Sequence, residues 1–285
     1  MTEPDLIIPW DRLPEGFARQ LDEPRGPAAV PRPAATIVLL RAGAGGPEVL
    51  LLRRVRNAGF VPGAYVFPGG RVDGDDATEA LTERVEGVTP AQAAARLGLP
   101  GNAEPPALAY YVAAVREAFE ETGLLVGTTA GGEAPPSAAS DEGVRKLRDQ
   151  LLADEDAFPA ILDALGCRMD ARAVAYVAHW ITPEAEPRRY DTRFFAAAVP
   201  AGRAALLNEA ELNHALWLTP EEALLRHGNG RLPMVFPTIK TLESLVGFDA
   251  PEAILAHFED RPIPAILPRL VRTPTGVGLH VPSRD

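Results

Sequence analysis

The chain has 285 residues, 46% of them hydrophobic, and a formal net charge of −11, which is enough for one large domain or two small ones with a full apolar core. The acidic balance argues against a general nucleic-acid binder, which grips phosphates with clustered Lys and Arg, but it leaves room for a small phosphorylated substrate bridged by a cation. No apolar run suits a membrane span, the acidic opening MTEPDLIIPWDRL does not read as a signal peptide, and the one cysteine, Cys167, forms no internal disulfide and fits a reducing cytoplasm.

Residues 1–34 are rich in proline and charge and read as an irregular lead-in. Residues 36–41 (TIVLLR) and 48–53 (EVLLLR) are β-rich, and the glycine-rich stretch between them makes them a hairpin. Residues 64–67 give a short third strand that Pro68 stops. Residues 77–100 have a weak helical pattern. A stronger helix opens at Pro105-Pro106 and ends near Gly123, packing through Ala109, Val112, Ala113, Val115 and Phe119. Residues 126–140 form a low-complexity loop, and 141–166 one or two helices. Strands follow at 173–181, 190–199 and 215–218, the last running into Thr219-Pro220-Glu221-Glu222, which has the form of a helix start. Two helices at 237–247 and 250–259 precede a Pro-rich tail, 261–285, expected to drape over the domain. The pattern predicts an α+β protein, an α/β/α sandwich with a mixed sheet.

The run Arg116-Glu117-Ala118-Phe119-Glu120-Glu121-Thr122-Gly123-Leu124 carries the chemistry. On a helix its three glutamates share one face, within roughly 100° of arc. Like charges at i,i+4 destabilise a helix, so a neutralising cation is expected. Hard divalent ions such as Mg²⁺ prefer carboxylate oxygens, and bound to Glu117, Glu120 and Glu121 they would clamp a pyrophosphate and activate water. The carboxylates are expected to lie largely away from the packing side of the helix. One glutamate would serve as general base, and Arg116 would orient a neighbouring carboxylate through a bidentate pair. Upstream, Phe67-Pro68-Gly69-Gly70 supplies glycines that let backbone approach a metal or phosphate.

Together these residues resemble the Nudix hydrolase signature, G-x5-E-x7-R-E-U-x-E-E-x-G-U, where U is bulky and aliphatic. Gly70, Arg116-Glu117, Glu120-Glu121, Gly123 and Leu124 match, while Ala118 departs from U. Gly70 and Arg116 lie 46 positions apart where the uninterrupted signature has 14, so 32 residues are inserted. The signature's first glutamate falls on Asp76 counted forward from Gly70 and on Leu108 counted back from Arg116, with Asp73 a competitor. The resemblance implies a Nudix α/β/α sandwich that cleaves a nucleoside diphosphate linked to another moiety. It also implies metal ligation (Mg²⁺ or Mn²⁺) by Glu117, Glu120, Glu121 and the Gly70 carbonyl, and a further acidic residue before the last sheet strand: Glu211, or Glu209 as the alternate.

The divided motif is similar to that of an insertion-bearing branch that includes peroxisomal coenzyme A diphosphatases. That branch's upstream pattern, L-L-T-x-R-[SA]-x3-R-x3-G-x3-F-P-G-G, is matched at Leu50, Leu51, Arg54, Gly63 and Phe67 to Gly70; Leu52, Val55 and Gly59 depart from it. Trp180 to Pro183 and Arg189 to Phe195 resemble the same branch. The substrate implied first is coenzyme A or an acyl-coenzyme A, then ADP-ribose or a dinucleotide. A catalytically silent binding module on the same fold is the rival. Candidate substrate contacts are Arg54, Arg56, Tyr65 and Phe67. Arg53 joins Arg54 and Arg56 as either phosphate ligands or strand-end charges, and Tyr65 and Phe60 either stack on an adenine or pack in the core. Arg189 and Asp191 read as a bracing ion pair, His179 as a wall residue, His214 as a residue facing the site and Cys167 as inert. The expected hydrolase domain spans 35–247, with its insertion at about 77–108 and a helical C-terminal extension at 248–285. The insertion and extension would shape the pocket or a homodimer interface.

Overall fold

The computed structural model describes residues 4–10, 27–55 and 62–281. In chain order these carry β1 (Leu6–Pro9), β2 (Arg32–Gly43), β3 (Gly46–Arg54), β4 (Tyr65–Val66) and β5 (Gly69–Arg71). Next come α1 (Glu79–Thr82), β6 (Val85–Glu86), α2 (Pro90–Arg96) and α3 (Ala107–Thr122). Then follow β7 (Thr128–Thr129), α4 (Glu142–Ala153), α5 (Phe158–Ala164), β8 (Cys167–Asp170), β9 (Val174–Ile181) and β10 (Tyr190–Ala198). The last part holds β11 (Leu212–Leu218), α6 (Pro220–Gly228), α7 (Phe236–Glu243), α8 (Pro251–Phe258), β12 (Arg269–Arg272) and β13 (Gly276–His280). The chain divides into two compact units: residues 34–178 with 193–263, and residues 1–33 with 179–192 and 264–285.

The larger unit is built on the sheet β11-β3-β2-β10-β9, with β4 added to β3 and β5 to β2. Alternation along β2 and β3 sends Ile37, Leu39, Leu50 and Leu52 into a core shared with Tyr111, Val115 and Phe119 of α3. The intervening Val38, Leu40, Val49 and Leu51 are equally buried on the opposite face, and α6 packs against β3 and β11. Burying both faces in this way makes the expected α/β/α sandwich.

Helix α3 starts after Pro106, whose missing N–H costs nothing at a helix start, and ends on Gly123 in the left-handed region at φ 67°. It is buried on nearly every side, which corrects for Glu121, only 5% exposed, the expectation that the carboxylates lie largely away from the packing; Glu117 and Glu120 are half-buried. Contacts with α1, α2 and α4, non-local in sequence, wrap the outer side of the helix. The inserted segment is a mixed structure of α1, β6 and α2. Parallel pairing of β6 with β8 explains the strand that local composition did not show.

Other differences have similar causes. Gly69 and Gly70 are a strand, β5, paired with Thr36 and Ala35 of β2. Strand β11 begins earlier than expected, at Leu212, because it pairs with β3 as far as Arg54. Helix α7 stops at Glu243 rather than 247.

In the smaller unit, β1 forms within the stretch read as irregular, and the tail read as draped coil supplies β12 and β13; the three make one antiparallel sheet. Pairing between the two chain ends is invisible to a local reading. Asp191 pairs with His179 rather than Arg189, and Arg189 donates to the carbonyls of Thr182 (3.0 Å) and Ala29 (2.7 Å). Among the described residues no helix is long and apolar enough to cross a membrane.

Cys167 sits on β8, buried, and burial pushes its thiol pKa up to about 11. The native protein is therefore expected to react with no equivalent of a thiol reagent at pH 8 and with one equivalent once denatured. Fast labelling of the native protein would contradict this packing.

Candidate active site

The centre of the site is the Arg116 guanidinium. Its Nε donates to Asp76 Oδ1 (2.8 Å), and Nη2 donates to Asp76 Oδ2 (3.0 Å) and the Arg71 carbonyl (3.2 Å). Nη1 donates to Glu117 Oε1 (3.1 Å) and Glu120 Oε1 (2.9 Å). All five N–H groups of the fork thus have an acceptor. Arg116 is 3% exposed and Asp76 1%. Burial opposes the arginine's charge, but Asp76, Glu117 and Glu120 more than offset it and hold its pKa above the usual range.

Asp76 is the aspartate that Arg116 grips in bidentate fashion; it also accepts the Asp73 backbone N–H at 2.9 Å. Asp73 itself stands farther off, its carboxylate 3.7 Å from Arg116 Nη2. The expected bidentate partner thus lies 40 residues upstream, across the insertion, and not on the helix itself.

With Glu120 tied to Arg116, Glu117 and Glu121 face the glycines of β5. Gly69 donates its N–H to Glu121 Oε2 at 3.2 Å. A Cβ on Gly70 would lie 2.2 Å from Glu117 Oε1, so only glycine permits this approach. Gly69 is equally constrained, by its φ of 155° and by the Ala35 carbonyl, 2.5 Å from where its Cβ would stand. Burial pushes the Glu117 pKa up to about 8, with Arg116 opposing and Glu120 adding to the rise. Glu121 is raised well above the ordinary range, by burial first and then by the Glu117 charge. Glu117 is half-buried and Glu121, one helical turn on, is buried, and the Glu117 charge disfavours that of Glu121.

Two further residues act on Glu121. Arg54, at the end of β3, lowers its pKa, and Glu211 raises it. Glu211 is brought there by backbone: Asn208 donates to the Glu121 carbonyl (3.2 Å), Leu206 to Thr122 (2.7 Å), and Val55 to the Glu211 carbonyl (2.9 Å). The Arg54 Nε is buried without an acceptor among the described residues.

Other candidates fall elsewhere. Tyr65 pairs with Arg53, not Arg54, so alternation turns it to the opposite face, where its hydroxyl meets His214 Nδ1 at 2.8 Å. Phe67 is buried edge-to-face against Phe194. Arg56 and Phe60 lie outside the described residues. The sequence reading did not identify Arg148. This buried residue donates to the carbonyls of Phe119 (3.2 Å) and Glu120 (2.9 Å) and so caps α3 beside the carboxylates. Its signal was an arginine in the apolar i, i+4, i+7 stripe Val144, Arg148, Leu151.

The donor set fits a small hard cation. Among the described residues no three His, Cys, Asp or Glu side chains close on one point, so Glu117, Glu120 and Glu121 do not form a ready cage. Mg²⁺ needs no such cage: one or two carboxylates suffice, with water and substrate phosphate filling the other positions. Glu117 and Glu121 answer that description, with the Gly70 backbone beside Glu117.

Comparison with known proteins gives one family throughout. Residues 31–245 match the family model described as the NUDT19 Nudix domain. The chain is 31% identical over 205 residues to the human acyl-coenzyme A diphosphatase NUDT19, covering 62% of this chain and 55% of that protein. To the Xenopus laevis protein of that name it is 26% identical over 229 residues, 70% of this chain and 60% of the relative. The matches thus span somewhat more than half the length of these relatives. The crystal structure of a NUDIX hydrolase from Alicyclobacillus acidocaldarius is 32% identical, with a TM-score of 0.66 over 82% of this chain and 99% of that one.

Two outcomes follow from the geometry. Asp76→Ala strands a buried guanidinium and is expected to cost about 3–5 kcal/mol in urea unfolding, while Asp73→Ala costs about 1 kcal/mol or less. Equal effects would remove Asp76 from its assigned place. The second concerns pH. A carboxyl whose folded pKa is raised binds more protons folded than unfolded. The stability it contributes below the ordinary carboxylate range is therefore lost as pH rises, for Glu117 up to about 8. Metal-free protein should melt lower at pH 8 than at pH 6, and Mg²⁺ should raise the melting temperature more at pH 8. A Mg²⁺ effect that shrinks with rising pH would contradict the reading.

Proposed function

Because the chain belongs to the Nudix hydrolase family, in the branch of the NUDT19 Nudix domain, we propose that it is a Mg²⁺- or Mn²⁺-dependent pyrophosphohydrolase. It cleaves the P–O–P bond of a nucleoside diphosphate joined to another moiety, and its substrate is coenzyme A or an acyl-coenzyme A. The observation that carries the chemistry is the pair of carboxylates facing the β5 glycines: half-buried Glu117, bonded to Arg116 and set against Gly70, and buried Glu121, which accepts the Gly69 N–H. A silent binding module would have no use for two such destabilised charges. The names of the relatives and the match at Leu50, Leu51, Arg54, Gly63 and Phe67 to Gly70 support the substrate.

In this reading Glu117, Glu121 and the Gly70 carbonyl hold the cation. When bound, the metal neutralises the pyrophosphate and lowers the pKa of the attacking water. Arg116 keeps Glu120 and Glu117 in one orientation and is itself fixed by Asp76. Arg54, with its unsatisfied Nε, takes a phosphate oxygen of the substrate. Glu211, exposed beside Glu121, accepts the proton of the water as general base. The single, thiol-inert Cys167 suits a reducing cytoplasm.

Gly59 stands where the coenzyme A pattern has an arginine. That departure favours ADP-ribose or a dinucleotide as the second reading.

Incubation of the protein with coenzyme A, ADP-ribose, NADH and diadenosine phosphates plus Mg²⁺, with products identified by mass, tests the proposal. Release of 3′,5′-ADP and 4′-phosphopantetheine is expected, and turnover of ADP-ribose alone would transfer the assignment to the second reading. Glu121→Gln should lower kcat by roughly a thousandfold or more while the protein stays folded. Full activity in that variant would end the metal assignment.

A further inference from the structure

The carboxylate site leaves one cleft of the larger unit without a role. It measures about 440 Å³, lies where β4, β11 and α6 meet, and is lined by Tyr65, His214, Leu216, Leu225, Arg226 and Arg231 among others. One side is aromatic. The Tyr65 hydroxyl holds His214 at Nδ1, the two rings meet edge to face with centroids 6.1 Å apart, and the Arg53 guanidinium lies 6.0 Å from the Tyr65 ring centre. Another side is aliphatic, and its Leu225 is 65% exposed, an open apolar rim on an otherwise polar helix face.

The charge of the lining is unusual for a protein of net charge −11. Arg226 and Arg231 stand in the cleft against one carboxylate, Glu222, and Arg226 already engages that carboxylate. Arg231 is exposed and meets no acceptor among the described residues. A fatty chain would have no use for the arginines, and a lone inorganic anion none for the ring and the leucines. A planar base carrying a phosphate uses all of them.

We propose that this cleft receives the base-and-phosphate end of the nucleotide substrate, with His214 and Leu225 flanking the base and Arg231 on a phosphate that is not hydrolysed. The inference rests on the pyrophosphohydrolase reading and extends it to a specificity subsite. Tyr65 acts as a positioning residue that fixes the His214 ring. Tyr65 and Gly70 are five residues apart in the chain, a span of at most roughly 18 Å when extended, and because Tyr65 lies on the face opposite Arg54 the substrate passes round the end of β3 to engage both sites.

The test uses Arg231→Glu with Arg269→Glu, an exposed β12 residue of the other unit, as the control for charge. KM and kcat are measured for coenzyme A and for its 3′-dephosphorylated form. Arg231→Glu should raise KM for coenzyme A roughly tenfold or more and KM for the dephosphorylated form far less, with kcat little changed. The control should move neither. Equal shifts for both substrates, or none, would overturn the subsite while leaving the hydrolase reading intact. If the protein hydrolyses no diphosphate at all, that reading fails, and calorimetry decides the cleft alone. Wild type should then bind adenosine 3′,5′-bisphosphate more tightly than adenosine 5′-monophosphate, and Arg231→Glu should lose that preference. No preference in wild type would overturn it.

Discussion

Arg116 is buried with all five of its N–H groups engaged, and the rest of the site depends on that arrangement. A guanidinium out of water is tolerable only when its charge and its donors are matched. Asp76 supplies the full bidentate partner, the Arg71 carbonyl fills one more position, and the two helix glutamates take the remaining nitrogen. One cation cannot neutralise every carboxylate around it. Glu117 and Glu120 share one nitrogen of Arg116, and Glu121 accepts the Gly69 N–H instead.

The β5 glycines complete this arrangement from the other side. Pairing with β2 fixes Gly69 and Gly70 at the sheet; the missing Gly70 side chain admits the Glu117 carboxylate, and the Gly69 N–H donates to Glu121. Arg148 closes the far end of α3 by capping its last carbonyls. The loop carrying Glu211 is fastened to that same end by two backbone hydrogen bonds and to the end of β3 by a third.

Much of this was legible in the residues themselves. The spacing of Glu117, Glu120 and Glu121, the terminal Gly123 and the β2–β3 hairpin are local signals, and the structure has the helix and hairpin where the sequence put them. Counting forward from Gly70 reached Asp76, the residue that Arg116 grips. What stayed hidden was non-local. Nothing near Leu6 or Leu279 announces that they pair, and the composition of the insertion does not show that it buries the outer side of α3. The division of labour among the glutamates was hidden for the same reason. A helical wheel places the three on one face, but only the structure in space ties Glu117 and Glu120 to one nitrogen of Arg116 and Glu121 to the Gly69 N–H. Tyr65 and Phe67 read alike in sequence, both aromatic and both beside the glycines. Tyr65, beside Arg53 of β3, meets His214, while Phe67, past the end of β4, packs on Phe194.

The central claim is that Glu117, Glu121 and the Gly70 carbonyl form a cation site set by Arg116. A crystal structure with Mn²⁺, located by its anomalous signal, tests it most directly. The account predicts an ion in direct coordination with both carboxylates and the Gly70 oxygen while Arg116 keeps its bonds to Asp76. An ion bound elsewhere, or one that draws Arg116 away from Asp76, would contradict it.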